Sequence, residues 1–126
     1  MAIRVDTKLA TPIFKQIVEE IERMVIIGEM VCGDFVPSVR ELSTRFDINP
    51  NTISKAYQQL QFHGLIEAVR GKGLRITKQN KQSLEKRLDK IFENKTRQLV
   101  SDAKAFEFQF DDVILKLTAE HRRGQE

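Results

Sequence analysis

Two short stretches carry side chains whose types and spacing suit recognition chemistry. The first is Asn49-Pro50-Asn51-Thr52-Ile53-Ser54-Lys55. Asn and Thr both donate and accept hydrogen bonds at base edges, and a threonine methyl can meet a thymine methyl. The second is Arg70-Gly71-Lys72-Gly73, with cationic groups set between glycines. A tip that is slim and positive can enter the minor groove or clasp its phosphates. Covalent chemistry has no comparable signal. The chain holds no GxSxG, HExxH, Walker loop or dinucleotide fingerprint. Glu19-Glu20 and Asp111-Asp112 read as solvated helix faces or helix-start charges, and His63 and His121 as surface or helix-end residues. The expectation is a protein that is not an enzyme, with no catalytic residue, no metal and no cofactor.

Charge placement agrees with that chemistry. Formal net charge is only +3. Residues 49–78, however, carry Lys55, Arg70, Lys72, Arg75 and Lys78 against Glu67 alone. Neutralisation of phosphates by such groups supplies most non-specific affinity for nucleic acid. With 40% hydrophobic and 31% charged residues, the 126-residue chain suits a soluble, helix-rich protein of one domain or a small domain plus an appendage. No run approaches the roughly 18 apolar residues of a membrane span. The start, MAIRVDTKLATP, lacks the apolar centre of a signal peptide, which predicts a cytoplasmic protein. A single cysteine, Cys32, forbids an internal disulfide and a four-cysteine metal site, and reads as a small apolar side chain.

The elements that must position the two stretches follow from local signals. Residues 1–10 read as an irregular or short extended leader. Thr11 and Pro12 open a helix whose apolar stripe is Ile13, Phe14, Ile17, Val18, Ile21, Met24 and Val25, with Gly28 at its end. Glu19, Glu20, Glu22 and Arg23 sit mostly off that stripe. Ser38 and Glu41 form a capping box, and Val39, Leu42 and Phe46 make the inner side of a short second helix. Asp47-Ile48 turns the chain. Asn49 caps a third helix, over about 49–63, with Pro50 at its first position and Ile53, Ala56, Tyr57 and Leu60 facing inward. Residues 65–69 and 74–77 read as short strands joined by the glycine-flanked loop 70–73. The class is mainly α with a small β-hairpin: a winged helix-turn-helix DNA-binding domain over 1–78, followed by a C-terminal helical dimerisation tail over 79–126. The third helix is placed in the major groove and the wing at the minor groove. The bets for DNA contact are Asn51, Thr52, Ser54 and Lys55, with Asn49 near the backbone, and Arg70, Gly71 and Lys72 in the wing. Ser38 offers a helix N-terminus to a phosphate as well as a cap. Tyr57 is split between the core and a phosphate contact through its hydroxyl.

From about Asn80, Leu84, Leu88, Ile91, Phe92, Leu99, Val100 and Ala103 mark a long amphipathic helix. Phe106, Phe108 and Phe110 alternate, which breaks helical periodicity and puts a turn near 106–110. Val113, Ile114 and Leu117 stripe a last helix. A lone helix pair cannot bury both its apolar faces. A twofold interface would, and Leu88, Phe92, Leu99, Phe106, Phe110, Ile114 and Leu117 are its candidates. A dimer would also read two half-sites about one helical turn apart.

The stretch from Pro12 to Gly73, with PSVREL, then NPNT, then AY, then GLI before RGKG, resembles the DNA-binding domain of the GntR family of bacterial transcriptional regulators. The short two-helix tail is similar to that of the YtrA-like subfamily, which lacks a large effector domain. The resemblance implies a homodimeric repressor on a near-palindromic double-stranded DNA operator. It also implies that Arg40 reaches a phosphate or a guanine edge, for which the planar guanidinium is suited. The chain departs from the family pattern at Cys32, Asp47, Leu74-Arg75-Ile76, Glu107 and Gln109. Two alternatives stand beside a plain repressor. One is a sensor with a small-molecule effector site at the tail dimer interface, in the phenylalanine cluster. The other is a helical protein-interaction module.

Overall fold

Prolines and short polar caps divide the chain into the elements seen in the computed structural model, which describes residues 3–125. They run α1 (Ile13–Ile26), α2 (Val39–Phe46), α3 (Pro50–Phe62), β1 (Ile66–Val69), β2 (Gly73–Ile76), α4 (Lys81–Ala105) and α5 (Phe110–Arg123). Two compact units result, divided between Leu84 and Glu85.

In the first unit, α1 packs on α3, α2 packs on α3, and the hairpin joins α3 through β1. Ile17, Ile21 and Met24 of α1, Leu42 of α2, Ile53 and Leu60 of α3, and Leu65 and Ile76 at the hairpin are fully enclosed. Burying each such side chain contributes about 1.5–3 kcal/mol before entropy is counted. Leu84, in the first turn of α4, packs against this core, so the unit reaches past the hairpin. Asn80 caps that turn, its Oδ1 accepting the Ser83 N–H at 2.7 Å.

Caps and turns fix the helix-turn-helix. The Ser38 hydroxyl accepts the Glu41 N–H at 3.0 Å. Asn49 Oδ1 accepts the Asn51 N–H at 2.9 Å, with Pro50 at the helix start. Between them Asp47 takes a left-handed conformation (φ 53°), and the Ser43 hydroxyl donates to the Ile48 carbonyl at 2.7 Å. Helix α1 starts one residue later than the sequence implies: Pro12, not Thr11, is its N-cap, without a side-chain cap bond. The Thr11 carbonyl is instead held by the Gln16 amide. At its other end Ile27 is the cap, and Gly28 follows in a left-handed conformation.

The hairpin pairs Ile66 with Ile76 and Val69 with Gly73. Its three-residue loop is closed by the Lys72 N–H on the Val69 carbonyl, and Gly71 supplies the positive φ of 75° that the turn needs. A further pairing is absent from the sequence expectation. The segment Gly33–Val36 runs along the free edge of β2. The Gly33 N–H donates to Ile76 O, the Ile76 N–H to Asp34 O, and the Val36 N–H to Leu74 O.

From Ile3 onward the leader is held against α1. Ile3 is buried in the core, and the Arg4 and Asp6 N–H groups donate to Glu20 and Gln16 respectively. Gln16 and Glu20 are consequently buried, which corrects the solvated assignment of Glu20, and Glu22 is buried as well. Glu20 is compensated by Arg23 Nε at 2.5 Å and by the Arg4 N–H. A buried carboxylate needs such partners.

In the second unit, the helix break falls where Phe106, Phe108 and Phe110 alternate. The Phe108 N–H bonds the Ala103 carbonyl and the Glu107 N–H bonds the Lys104 carbonyl. That is a Schellman cap with Glu107 at the left-handed position (φ 57°). Helix α3 ends in the same way, with Gly64 at the equivalent place. No residue of α4 or α5 is fully buried. No helix among the described residues is long and apolar enough to cross a membrane.

Candidate nucleic-acid interface

The outward face of α3 is built by subtraction. Ile53, Ala56, Tyr57 and Leu60 turn into the core, which leaves Asn51, Lys55 and Gln58 exposed and Thr52 and Ser54 half-buried beside them. Asn51 and Lys55 are four residues apart and share one side of the helix. Asn49 spends its carbonyl oxygen on the cap, so its amide N–H groups are the part left for a neighbour.

The elements in contact with α3, namely α2 and the hairpin, carry exposed cations. Arg40 on α2 and Arg70 and Lys72 on the hairpin loop are exposed, and none has an ion-pair partner among the described residues. Arg75 differs, because Glu67 across the hairpin takes it at 2.7 Å. Ser38 is exposed at the start of α2, where its hydroxyl is already occupied as a cap. Lys55 sits with its ammonium 4.3 Å from the centre of the Phe14 ring. A cation over an aromatic face keeps its charge and loses freedom of movement. Phe14 therefore borders the candidate face, whereas the sequence assigned it only to the stripe of α1.

Tyr57 lies on the inner side of α3. Its side chain is buried, and its hydroxyl donates to the Pro37 carbonyl at 2.5 Å. The single hydroxyl proton is used, so none is left for a phosphate oxygen, which can only accept. Burial and the charge of Glu41 hold the phenol above its ordinary range, keeping that proton in place.

The tail residues form a different surface. Phe92, Phe106 and Phe110 are 60%, 81% and 70% exposed, and Leu88, Leu99, Ile114 and Leu117 are exposed too. Leu115, not among the sequence candidates, is exposed on α5 as well. Between α4 and α5 runs a groove of about 480 Å³, walled by Leu99, Ala103, Phe106, Phe108, Val113 and Leu117. Asp102, Lys116 and Glu120 stand at it, and the Lys116 ammonium lies over the Phe108 ring. No cluster of three or more His, Cys, Asp or Glu able to hold a metal occurs among the described residues.

Residues 13–76 match the family model for bacterial regulatory proteins of the gntR family. The chain belongs to the GntR family. It is 40% identical over 101 residues to the HTH-type transcriptional repressor YtrA of Bacillus subtilis, covering 80% of this chain and 78% of that one. Among solved structures it resembles a GntR family transcriptional regulator from Listeria monocytogenes, at 32% identity and a TM-score of 0.66. That match covers 87% of this chain and 96% of the other. It also resembles the DNA-binding domain of AraR in complex with operator ORE1. There the identity is 26% and the TM-score 0.51, covering 61% of this chain and 94% of that domain. The GntR assignment joins the two observations above: a capped helix with a polar outer face, and exposed cations on the elements that contact it.

Proposed function

We propose that this GntR protein is a homodimeric transcriptional repressor of the cytoplasm, without enzyme activity, that reads a near-palindromic operator. Helix α3 enters the major groove, where Asn51, Thr52 and Ser54 meet base edges and Lys55 meets phosphate. Arg40, the α2 N-terminus at Ser38, and Arg70-Gly71-Lys72 hold the backbone on either side. The observation that carries this assignment is the set of exposed cations without an ion-pair partner among the described residues, Arg40, Arg70 and Lys72, on the elements that contact the capped, polar-faced α3. The large exposed apolar surface of α4 and α5 supports dimerisation, since such surface on a lone chain is a liability. Occupancy of a promoter then blocks polymerase sterically.

The groove between α4 and α5 favours a second element of function. Its volume lies in the range of small-molecule sites, and its walls are those of an apolar ligand pocket. An effector bound there would change the face through which two copies meet, and so the spacing of the two α3 helices.

The test is selection of preferred duplexes from a random pool, followed by fluorescence anisotropy across a salt series. Arg70→Ala and Lys55→Ala should weaken binding on every duplex. Asn51→Ala and Thr52→Ala should change which duplex is preferred. An equal loss on all sequences for all four variants refutes the base-reading role of α3, and a pool that yields no preferred duplex refutes the repressor assignment.

A further inference from the structure

We infer that the N-terminal end of α1, with the leader turn clamped to it, is an additional contact surface for the DNA backbone, worked by Lys8 and Lys15. The inference rests on the placement of α3 in the major groove. That groove is about 12 Å wide, and a helix with its side chains is about 10–12 Å across. A helix therefore fills it, and whatever borders the exposed face of the helix meets the sugar–phosphate walls. The contact between Lys55 and Phe14 identifies one such neighbour. Lys55 is on the exposed face of α3, and Phe14 is the second residue of α1. The first turn of α1 thus lies beside the recognition surface.

Two lysines are held at that end. Lys15 follows Phe14 directly and is exposed. Lys8 is brought there by the leader. The Gln16 amide donates to the Asp6 and Thr11 carbonyls at 2.9 Å and accepts the Asp6 N–H at 2.8 Å. Asp6 Oδ1 then accepts the Lys8 N–H at 2.9 Å, which fixes the Lys8 backbone in a turn while its side chain stays exposed.

The charges of this element divide by position. Arg4 of the leader and Arg23 of α1 are both engaged by Glu20, further along α1, and Arg23 by Glu29 also. Lys8 and Lys15, at the end next to Lys55, have no ion-pair partner among the described residues. Cations spent on the protein cannot release counterions from DNA, whereas free ones can. The acid nearest in the leader, Asp6, commits an oxygen to the Lys8 N–H.

The experiment measures log affinity against log salt on the duplex that the wild-type protein enriches from a random pool. Lys8→Ala/Lys15→Ala should flatten the slope by about two, about one per lost phosphate contact, and weaken all sequences alike without changing the preferred one. Lys86→Ala/Lys90→Ala, which removes the same charge from α4, should leave the slope as it is. An unchanged slope in the Lys8/Lys15 variant, alongside a flattened one in Lys55→Ala and Arg70→Ala, overturns this inference alone. So does an equal flattening in the α4 variant, which marks a net-charge effect. If Lys55→Ala and Arg70→Ala leave the slope unchanged, the placement of α3 fails, and the inference with it.

Discussion

The Tyr57 hydroxyl donates a hydrogen bond to the Pro37 carbonyl, tying the middle of α3 to the residue that precedes the α2 cap. Through this bond the two segments proposed to meet DNA, Ser38-Arg40 and Asn51-Lys55, keep one spacing. Tyr57→Phe leaves the Pro37 carbonyl without this donor and should lower stability by about 1 kcal/mol, read as a lower urea midpoint. Affinity of the folded protein for DNA should stay unchanged. A uniform loss of affinity on every duplex would instead put the hydroxyl on a phosphate. The phenol is held above its ordinary value of 10.0 by burial, then by Glu41. Its contribution is thus full below pH 10 and is lost as pH rises through the folded value.

Glu20 gives a dependence of the opposite sign. Burial alone would raise its carboxyl, but the Arg23 hydrogen bond, the Arg4 N–H and the charges of both arginines outweigh it, and the group sits below its ordinary value of 4.5. Stability from this cluster should be present above pH 4.5 and disappear as pH falls through the lower folded value. Glu20→Gln should remove that part of the acid dependence and lower the urea midpoint at neutral pH.

Among the described residues, two non-glycine residues occupy left-handed conformations, Asp47 and Glu107. Asp tolerates this region because its short side chain bonds locally, whereas Glu lacks that advantage. Glu107→Gly should therefore raise stability by about 1 kcal/mol, measured as a higher melting temperature, and Asp47→Gly by less.

Leu99 is exposed and lines the groove between α4 and α5. Leu99→Glu puts a carboxylate on the surface proposed to bind a second copy. Sedimentation velocity should show the variant as a monomer. Affinity for a two-half-site duplex should fall about a hundredfold or more, because the second half-site is no longer engaged intramolecularly. An unchanged mass would remove the dimer role of this face.

The parts legible in the sequence were those encoded by neighbours in the chain. Ser38 with Glu41 and Asn49 with Pro50 each place a helix start within a few residues, and the glycines of the loop 70–73 mark the hairpin. The alternating phenylalanines marked the break at Phe106–Gln109, since three aromatics at a spacing of two cannot share one face of a helix. What stayed hidden depended on distant partners. The Tyr57 hydroxyl has two plausible directions until Pro37 is seen beneath it. Glu20 looks solvated until the leader covers it. One signal was available: Gln16 and Glu20 are polar residues four apart, adjoining an apolar stripe, and that spacing marks a shared face. Gly33–Val36 is too short and too irregular to announce itself as a strand.

That edge pairing bears on how the unit assembles. Phe35 and Arg75 meet across about 40 residues, a stretch that contains α2, α3 and the hairpin. The recognition module is therefore a closed loop, sealed at Gly33–Val36 by the strand that returns from the wing. Local pieces of helix can flicker into existence early, but the seal is a non-local contact whose closure entropy must be met before it stabilises anything. Acquisition of the native module should consequently be all-or-none, with the returning strand as its latch. A polypeptide still emerging, with Leu74 and Ile76 not yet available, would hold the DNA-facing helix without the closure that keeps it in place.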